Sequence, residues 1–516
     1  METSGGDAGA DRLTRQVHPD VLIIVTDQHR YDCLGITGNR QVHTPALDRL
    51  AREGVLVEQA FCPFPLCAPS RASFLTGLYA YQHAVWDNQG TLSPGIPTFP
   101  AAFRDAGYDT IAVGKMHLTP TYADVGFRRM ILAEQDGPGR HDDDYHRYLR
   151  ERDLCDENDL MDQVDEFRRA APREYYEACG AIVSNLSEEH HSTTWIGDRA
   201  VDEVTRWRQE ERPQLLYASF IKPHHPFDPP RRWAEMYDPQ DMEILPGWLP
   251  ELREVEAARG PGYFPNAELR EAQIRSVTAY YYATISQIDH QIERILEALQ
   301  GTGRYDNTIV LFTSDHGEFL GFHHLLLKHN YLYEPLVRVP MIWKVPGWSP
   351  VGREKTGAES NLWNPVSLVD VAPTLCDLAG VLWEGGAGCR NFFTAPRREY
   401  ICAESTDEYM IRSERYKLLY LESPAARQLF DLEADPLELD NRYEDPTFSE
   451  IRAELEAELL RTFLFVNRPP VHRDRSAPVI AGDNVQDSRL DGGALRYESE
   501  RYFREKMRKK RTYECP

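Results

Sequence analysis

Five short polar clusters, with Lys328 further along, carry residue types that catalysis needs: Asp27-Gln28, Cys67-Ala68-Pro69-Ser70-Arg71, Lys115-Met116-His117, His224-His225 and Asp315-His316. Asp27, Gln28, Asp315 and His316 offer mainly oxygen ligands. That set suits a hard divalent cation, Ca²⁺ or Mg²⁺, and the imidazole also admits Mn²⁺. Arg71, Lys115 and Lys328 can clamp a tetrahedral oxyanion, and in a desolvated pocket such stabilisation is usually the largest catalytic contribution. His117 and His224 can move protons near neutral pH. Together these groups suffice to cleave an anionic ester.

The backbone must first bring them to one place. Short apolar runs at 21–26 (VLIIVT), 109–114, 214–221 (QLLYASFI), 308–313 and 340–343 have the length and composition of buried strands. Asp27, Lys115 and Asp315 follow three of these runs at once or within a residue, and His224 follows a fourth closely. Helical patterns at 44–54, 98–106, 196–210 and 268–299 separate them, which predicts parallel βαβ units whose ligands gather at the carboxyl edge of the sheet. Pro69 suits a helix start, so Cys67 is expected just before a helix N-terminus, with Arg71 one turn on. That position alone fits a packed cysteine as well as a reactive one.

The fold class expected is therefore α/β, a mainly parallel sheet between helices, with a further helix at 366–378. From about 390 the texture changes to short alternating runs (YICAES, YMIRSERYKLLYL, RQLFDL) and a helix at 449–463, a smaller α+β subdomain with an antiparallel sheet. The expected organisation is a disordered N-terminus at 1–18, a catalytic domain at 19–388, the subdomain at 389–467 and a tail at 468–516. The tail ends in a basic helix at 501–511, read as solvated or oligomer-contacting. Segment 124–192, rich in charge and aromatics, is expected to form helices and an irregular insertion able to lid the site.

The formal net charge of −24 over 516 residues excludes nucleic acid as an expected partner, since phosphate binding needs a basic face. No apolar run reaches the roughly 18 residues of a membrane span. The first twenty residues lack the basic and apolar regions of a secretory signal, so a cytoplasmic location, or a leader removed, is expected. Nine scattered cysteines fit reduced thiols. The doublets His190-His191, His224-His225 and His323-His324 lack zinc-motif spacing. Cys62 reads as a core residue, Glu318 as a helix-start carboxylate and Tyr280-Tyr281-Tyr282 as packing in the long helix.

The pentapeptide CAPSR, with VLIIVTDQ, GKMH, KPHHPF, SDHGE, HHLLLK followed by YEPLVRVPMI, and RSERYKLLYL with QLFDLEADPLELDN, resembles the type I sulfatases of the alkaline phosphatase superfamily. The resemblance covers most of the chain. It implies that Cys67 is converted by a formylglycine-generating enzyme to Cα-formylglycine, whose metal-bound hydrate attacks sulfur and then expels sulfate. By position, Asp27, Gln28, Asp315, His316 and the modified Cys67 would bind the metal, Ca²⁺ foremost. Arg71 would hold the nucleophile, Lys115 and Lys328 would grip the sulfate, His117 would assist breakdown of the sulfated intermediate, and His224 would protonate the leaving group.

Many members of the family have a second Asp where Gln28 stands. Gln there, and the loop 83–88, resemble the phosphonate monoester hydrolases, which makes Asn88 a candidate substrate contact. CAPSR and the Lys115/His117 pair keep the sulfatase form. The expected function is sulfate ester hydrolysis on a small anionic substrate by a homo-oligomer, dimer or tetramer. The alternatives are phosphonate monoester or phosphodiester hydrolysis on the same site, and non-catalytic anion binding if Cys67 stays unmodified.

Overall fold

The structure, a computed structural model, describes residues 18–137, 139–259, 262–328, 331–347, 364–386, 388–466 and 502–509. Thirteen strands in this set run β1 (Asp20–Asp27), β2 (Val55–Leu56), β3 (Ala60–Phe61), β4 (Asp109–Gly114), β5 (Arg129–Leu132), β6 (Gln214–Pro223), β7 (Thr308–Ser314), β8 (Met341–Lys344), β9 (Val366–Ser367), β10 (Ile401–Glu404), β11 (Glu408–Arg412), β12 (Tyr416–Leu421) and β13 (Gln428–Asp431). The main sheet has the order β2-β8-β7-β1-β6-β4-β5. From β7 to β5 every pairing is parallel, and β8 runs antiparallel to β7 and β2. A mainly parallel sheet is what the runs of apolar residues predict.

Alternation along each strand splits the core into two layers. Val21, Ile23 and Val25 of β1, with Leu215, Tyr217, Ile309 and Leu311, face a layer that includes Phe74, Phe99, Phe103 and Leu375. Leu22, Ile24, Leu216, Ala218, Val310 and Phe312 face the other, built on Ile196, Ala200, Ile288, Ile292 and Ile295. The second layer is backed by the helix Ser192–Arg206 and the 32-residue helix Glu271–Thr302. At 1.5 Å per residue the latter runs about 48 Å. Both faces of β1 are thus closed to water, and its eight residues are all buried.

Beyond residue 400, β10 to β13 form an antiparallel sheet in sequence order, with the helix Ser449–Arg461 laid on it through Leu455 and Leu459. No helix among the described residues is long and apolar enough to cross a membrane.

Two local expectations change, and a third gains detail. Residues 366–378 do not form one helix, because Val366-Ser367 pair with β3 before the helix Val371–Ala379 begins. Segment 124–192 contains a strand, β5, that joins the main sheet; its four residues, RMIL, begin with a charge and sit in a stretch whose composition gives no strand pattern. The basic helix, described over 502–509, lies against its own chain on one face and leaves Glu505, Arg508 and Lys509 exposed. It packs Phe503 and Met507 into the second layer, while Arg504 and Arg508 pair with Glu166 and Lys506 pairs with Asp153. The disorder expected of 1–18 lies, apart from residue 18, outside the described residues, as does the tail over 468–501.

Candidate active site

The strand order decides which side chains meet. Along β7-β1-β6-β4-β5 the carboxyl ends deliver Asp315-His316, Asp27-Gln28, His224, Lys115/His117 and then Glu134 to Asp136. Register ties these ends together, with Thr26 opposite Ser314, Asp27 opposite Pro223 and Gly114 opposite both Ser219 and Leu132. Gly114 has φ +93°, and a Cβ there would lie 1.9 Å from the Ser219 carbonyl oxygen. Only glycine lets the chain turn Lys115 inward at that point.

The helix Cys67–Thr76 stands over this edge. Cys67 is its first residue rather than the one before it, and Pro69 is third, still within the turn whose N–H groups have no intrahelical acceptor. One of those donors, Ala68 N–H, is taken by the Asn88 side-chain oxygen at 3.2 Å. Asn88 therefore holds the start of the helix that carries Cys67, whatever else it touches. Ser70 Oγ donates to the Asp315 carbonyl at 2.6 Å and fastens the same helix to β7.

Asp27, Cys67, Asp315 and His316 each offer a ligand atom, and these atoms all lie within 4.8 Å of one another, fully buried. This is the one such cluster among the described residues, and the other histidine doublets do not enter it. His316 Nδ1 donates to the Gly317 carbonyl at 2.9 Å, which leaves Nε2 facing Cys67 Sγ at 3.3 Å. Gln28, held at φ +67°, donates its side-chain N–H to Glu318 and accepts from Lys328 Nζ at 2.9 Å. Tyr281 donates to the Gln28 carbonyl at 2.6 Å and fixes that unusual backbone. The central tyrosine of the triplet is more than packing.

Glu318 starts no helix. It is buried, accepts from Leu320 and Leu327 N–H as well as Gln28, and so sets the amide orientation. Gly317 must precede it, because a Cβ there would lie 1.8 Å from the Pro335 carbonyl oxygen.

Three cations enclose the cluster. Arg71 spans Asp315 at 2.8 Å and Asp27 at 3.2 Å, and donates to Ser219 Oγ and the Lys115 carbonyl. Lys115 Nζ lies 2.8 Å from Asp27, and Lys328 Nζ 3.0 Å from Cys67 Sγ. Burial opposes ionisation of Asp27, yet Lys115 foremost, then His224, Lys328 and Arg71, hold it well below the usual carboxylate range. At Asp315, burial and then the neighbouring charge of Asp27 push the carboxyl up to about 6. Burial and Asp27 push the Cys67 thiol up to about 11. As an unmodified thiol, Cys67 is therefore protonated at neutral pH and a poor nucleophile.

His224 and His117 lie on the far side. His224 Nδ1 donates to the His225 carbonyl at 2.7 Å, while His225 Nδ1 pairs with Asp162 at 2.6 Å. Lys222 is structural, bonded to Asp228 and to the Pro226 carbonyl. Neither ring nitrogen of His117 has a hydrogen-bond partner, and the nearest acid, Asp136, stands 3.8 Å away. Burial, then Lys328 at His224 and Lys115 at His117, keep both rings neutral, His117 down to about 3.

The architecture and the cluster match a known group. A family model described as Sulfatase matches residues 19–381, and one described as N-sulphoglucosamine sulphohydrolase, C-terminal, matches 395–463. The chain belongs to the sulfatase family. This sulfatase is 31% identical over 466 residues to an arylsulfatase of Clostridium perfringens, covering 84% of this chain and 92% of that one. It is 29% identical over 461 residues to a choline-sulfatase of Rhizobium meliloti, covering 83% of each. The solved phosphonate monoester hydrolase of Agrobacterium radiobacter aligns with TM-score 0.67 at 25% identity, covering 86% of the sulfatase and 95% of that chain.

The sequence pointed to every member of the cluster and to the three cations around it, but not to Glu134, Gln135, Asp136 or Asp162. Glu134, Gln135 and Asp136 come within four residues of the end of β5, a signal similar to that of Lys115 and Asp315, but β5 was not recognised. Asp162 sits mid-insertion and carried no signal.

Proposed function

We propose that this enzyme, a sulfuric ester hydrolase by family, cleaves sulfate esters with a formylglycine made from Cys67 and one divalent cation, Ca²⁺ foremost. The observation that supports this most directly is the buried set Asp27, Cys67, Asp315 and His316 enclosed by Arg71, Lys115 and Lys328. Two carboxylates, an imidazole and the Gln28 amide fit a hard divalent ion. Burial, and then the charge of Asp27, raise the Asp315 carboxyl, and a bound cation would offset both.

When present, the cation with the hydrated aldehyde at position 67 supplies the oxygen nucleophile. Every other duty falls to the chain. Arg71, pinned to both carboxylates, fixes the ligand oxygens, and Lys115 and Lys328 present ammonium groups where sulfate oxygens gather charge. His224, its Nδ1–H committed, takes up a second proton on Nε2 when the negative charge of a bound ester favours its imidazolium, and that is the proton it donates. His117, with no ring partner, is free to take a proton during release of sulfate. A neutral thiol pushed up to about 11 would serve poorly here, which favours the oxidised form of residue 67.

A second reading, phosphonate monoester or phosphodiester hydrolysis, is favoured by Gln28, a neutral ligand where many relatives carry an acid, and by the likeness to the Agrobacterium enzyme. Peptide mass spectrometry at Cys67 tests the nucleophile. The expected result is the aldehyde, about 18 Da below the thiol, because –CH2–SH becomes –CHO with loss of sulfur and two hydrogens and gain of one oxygen. The ratio of kcat/KM for an aryl sulfate and an aryl phosphonate then tests the substrate, and a phosphonate preference of about 10²-fold would select the second reading.

A further inference from the structure

The segment after β5 grips both histidines of the site. Glu134 accepts the N–H groups of Met116 at 2.9 Å and His117 at 3.0 Å, where His117 stands at φ +55°. Asp136 is the acid nearest the His117 ring. Between them Gln135, 1% exposed, donates from Nε2 to the His225 carbonyl at 2.8 Å. That same carbonyl accepts His224 Nδ1–H at 2.7 Å. The carbonyl has two lone pairs, so both bonds form at once.

The His225 carbonyl does not need Gln135 to be satisfied, since His224 already serves it. A buried glutamine costs desolvation that a methionine of similar length would avoid. What the amide adds is a second anchor on the atom that orients the His224 ring. The segment is itself immobilised, with Ala133 N–H on the Gly114 carbonyl at 3.2 Å and Glu134 N–H on Asp143 at 2.5 Å. It therefore relates β5, β4 and the loop after β6 as one rigid unit.

We infer that Gln135 is a positioning residue for His224, acting through the His225 carbonyl to aim Nε2 at the leaving oxygen. The inference rests on His224 being the general acid. Gln135 does not exchange the proton itself. It fixes the carbonyl, the carbonyl fixes Nδ1–H, and the proton that reaches the departing alcohol leaves from Nε2.

The test compares 4-nitrophenyl sulfate, whose leaving group needs little protonation, with phenyl sulfate, whose leaving group needs more. His224→Ala should lower kcat/KM for phenyl sulfate by about 10²-fold and for the nitrophenyl ester far less. Gln135→Met, close in shape but without the donor, should lower the phenyl sulfate value about tenfold and the nitrophenyl value less than about twofold. The double variant should be no slower than His224→Ala alone. Gln135→Asn, which keeps the amide but draws it back one methylene, repeats the measurement should the methionine variant fold poorly. Equal losses on both esters, or a double variant that loses the full product of the two effects, would overturn the inference and leave His224 as the acid. Equal losses on both esters for His224→Ala itself would overturn the acid assignment and the inference with it.

Discussion

The two halves of the site are built on opposite terms. At the ends of β1 and β7 every ligand is restrained: Asp27 by Lys115 and Arg71, Asp315 by Arg71 and the N–H groups of Gln28 and His316, His316 by the Gly317 carbonyl, and Gln28 by Glu318. At the ends of β4 and β6 the working atoms are left unpaired. His117 has no ring partner at all, and His224 commits one nitrogen only. A cation is held by ligands that cannot move, whereas a proton is moved by an atom that nothing else occupies. On the proposed function the difference in hydrogen bonding is a difference in task, and substitutions in the two halves should fail in different ways.

Position 67 belongs to both halves, so its loss should be the largest. Cys67→Ala removes the side chain proposed as the precursor of the nucleophile, and kcat/KM should fall by at least about 10⁴-fold. The fold should survive, since a lone Sγ leaves a small void and its neighbours are held by one another rather than by sulfur. Initial rates together with thermal unfolding check both statements. Activity above about a tenth of wild type would dissolve the comparison, because neither half would then be serving residue 67.

Arg71→Met should next expose the cation half as a mutually dependent unit. The guanidinium is 2% exposed and joins two buried carboxylates, so removing it leaves charge uncompensated at a cost of about 3–5 kcal/mol. Urea unfolding measures it. The loss should be larger after chelation of bound metal, when no other dication offsets the carboxylates. A loss below about 1 kcal/mol would show that Lys115 alone compensates them.

How much of this was legible follows the same division. The apolar runs announced β1, β4, β6 and β7, and because a parallel sheet gathers its carboxyl ends, the residues just beyond them could be named as one site before any contact was seen. Asp27 and Asp315 were readable for that reason. Glu318 was misread because its role is set by Gln28 across the sheet, a partner 290 positions away. Glu134 to Asp136 were unread because β5 opens on an arginine within a charge-rich segment and owes its existence to pairing with β4 rather than to its own composition. The intrachain contacts of the basic tail helix were unread for a related reason. Its charge pattern says that it seeks acids, but not that Glu166 and Asp153 of the same chain supply them.

The smallest effect should appear in the histidine half, as a dependence on pH. Burial, which outweighs the N–H groups of Met116 and His117 and is joined by the charge of Asp143, raises the Glu134 carboxyl from 4.5 to about 8. In the unfolded chain the group loses its proton near the lower value, and in the folded chain near the higher one. Between them the folded state binds the extra proton, so this contribution to stability is full below about pH 4.5 and is lost as pH rises towards 8. Glu134→Gln stays neutral throughout, and its amide oxygen can serve both backbone donors, as one carboxyl oxygen already does. The variant should therefore gain on wild type by roughly 3 kcal/mol between pH 5 and pH 8, read by thermal unfolding at each pH. Parallel profiles would mean that Glu134 is ionised in the folded protein. The His117 turn would then be held by a charge, and the contrast between a charged cation half and a neutral proton-moving half would have to be redrawn.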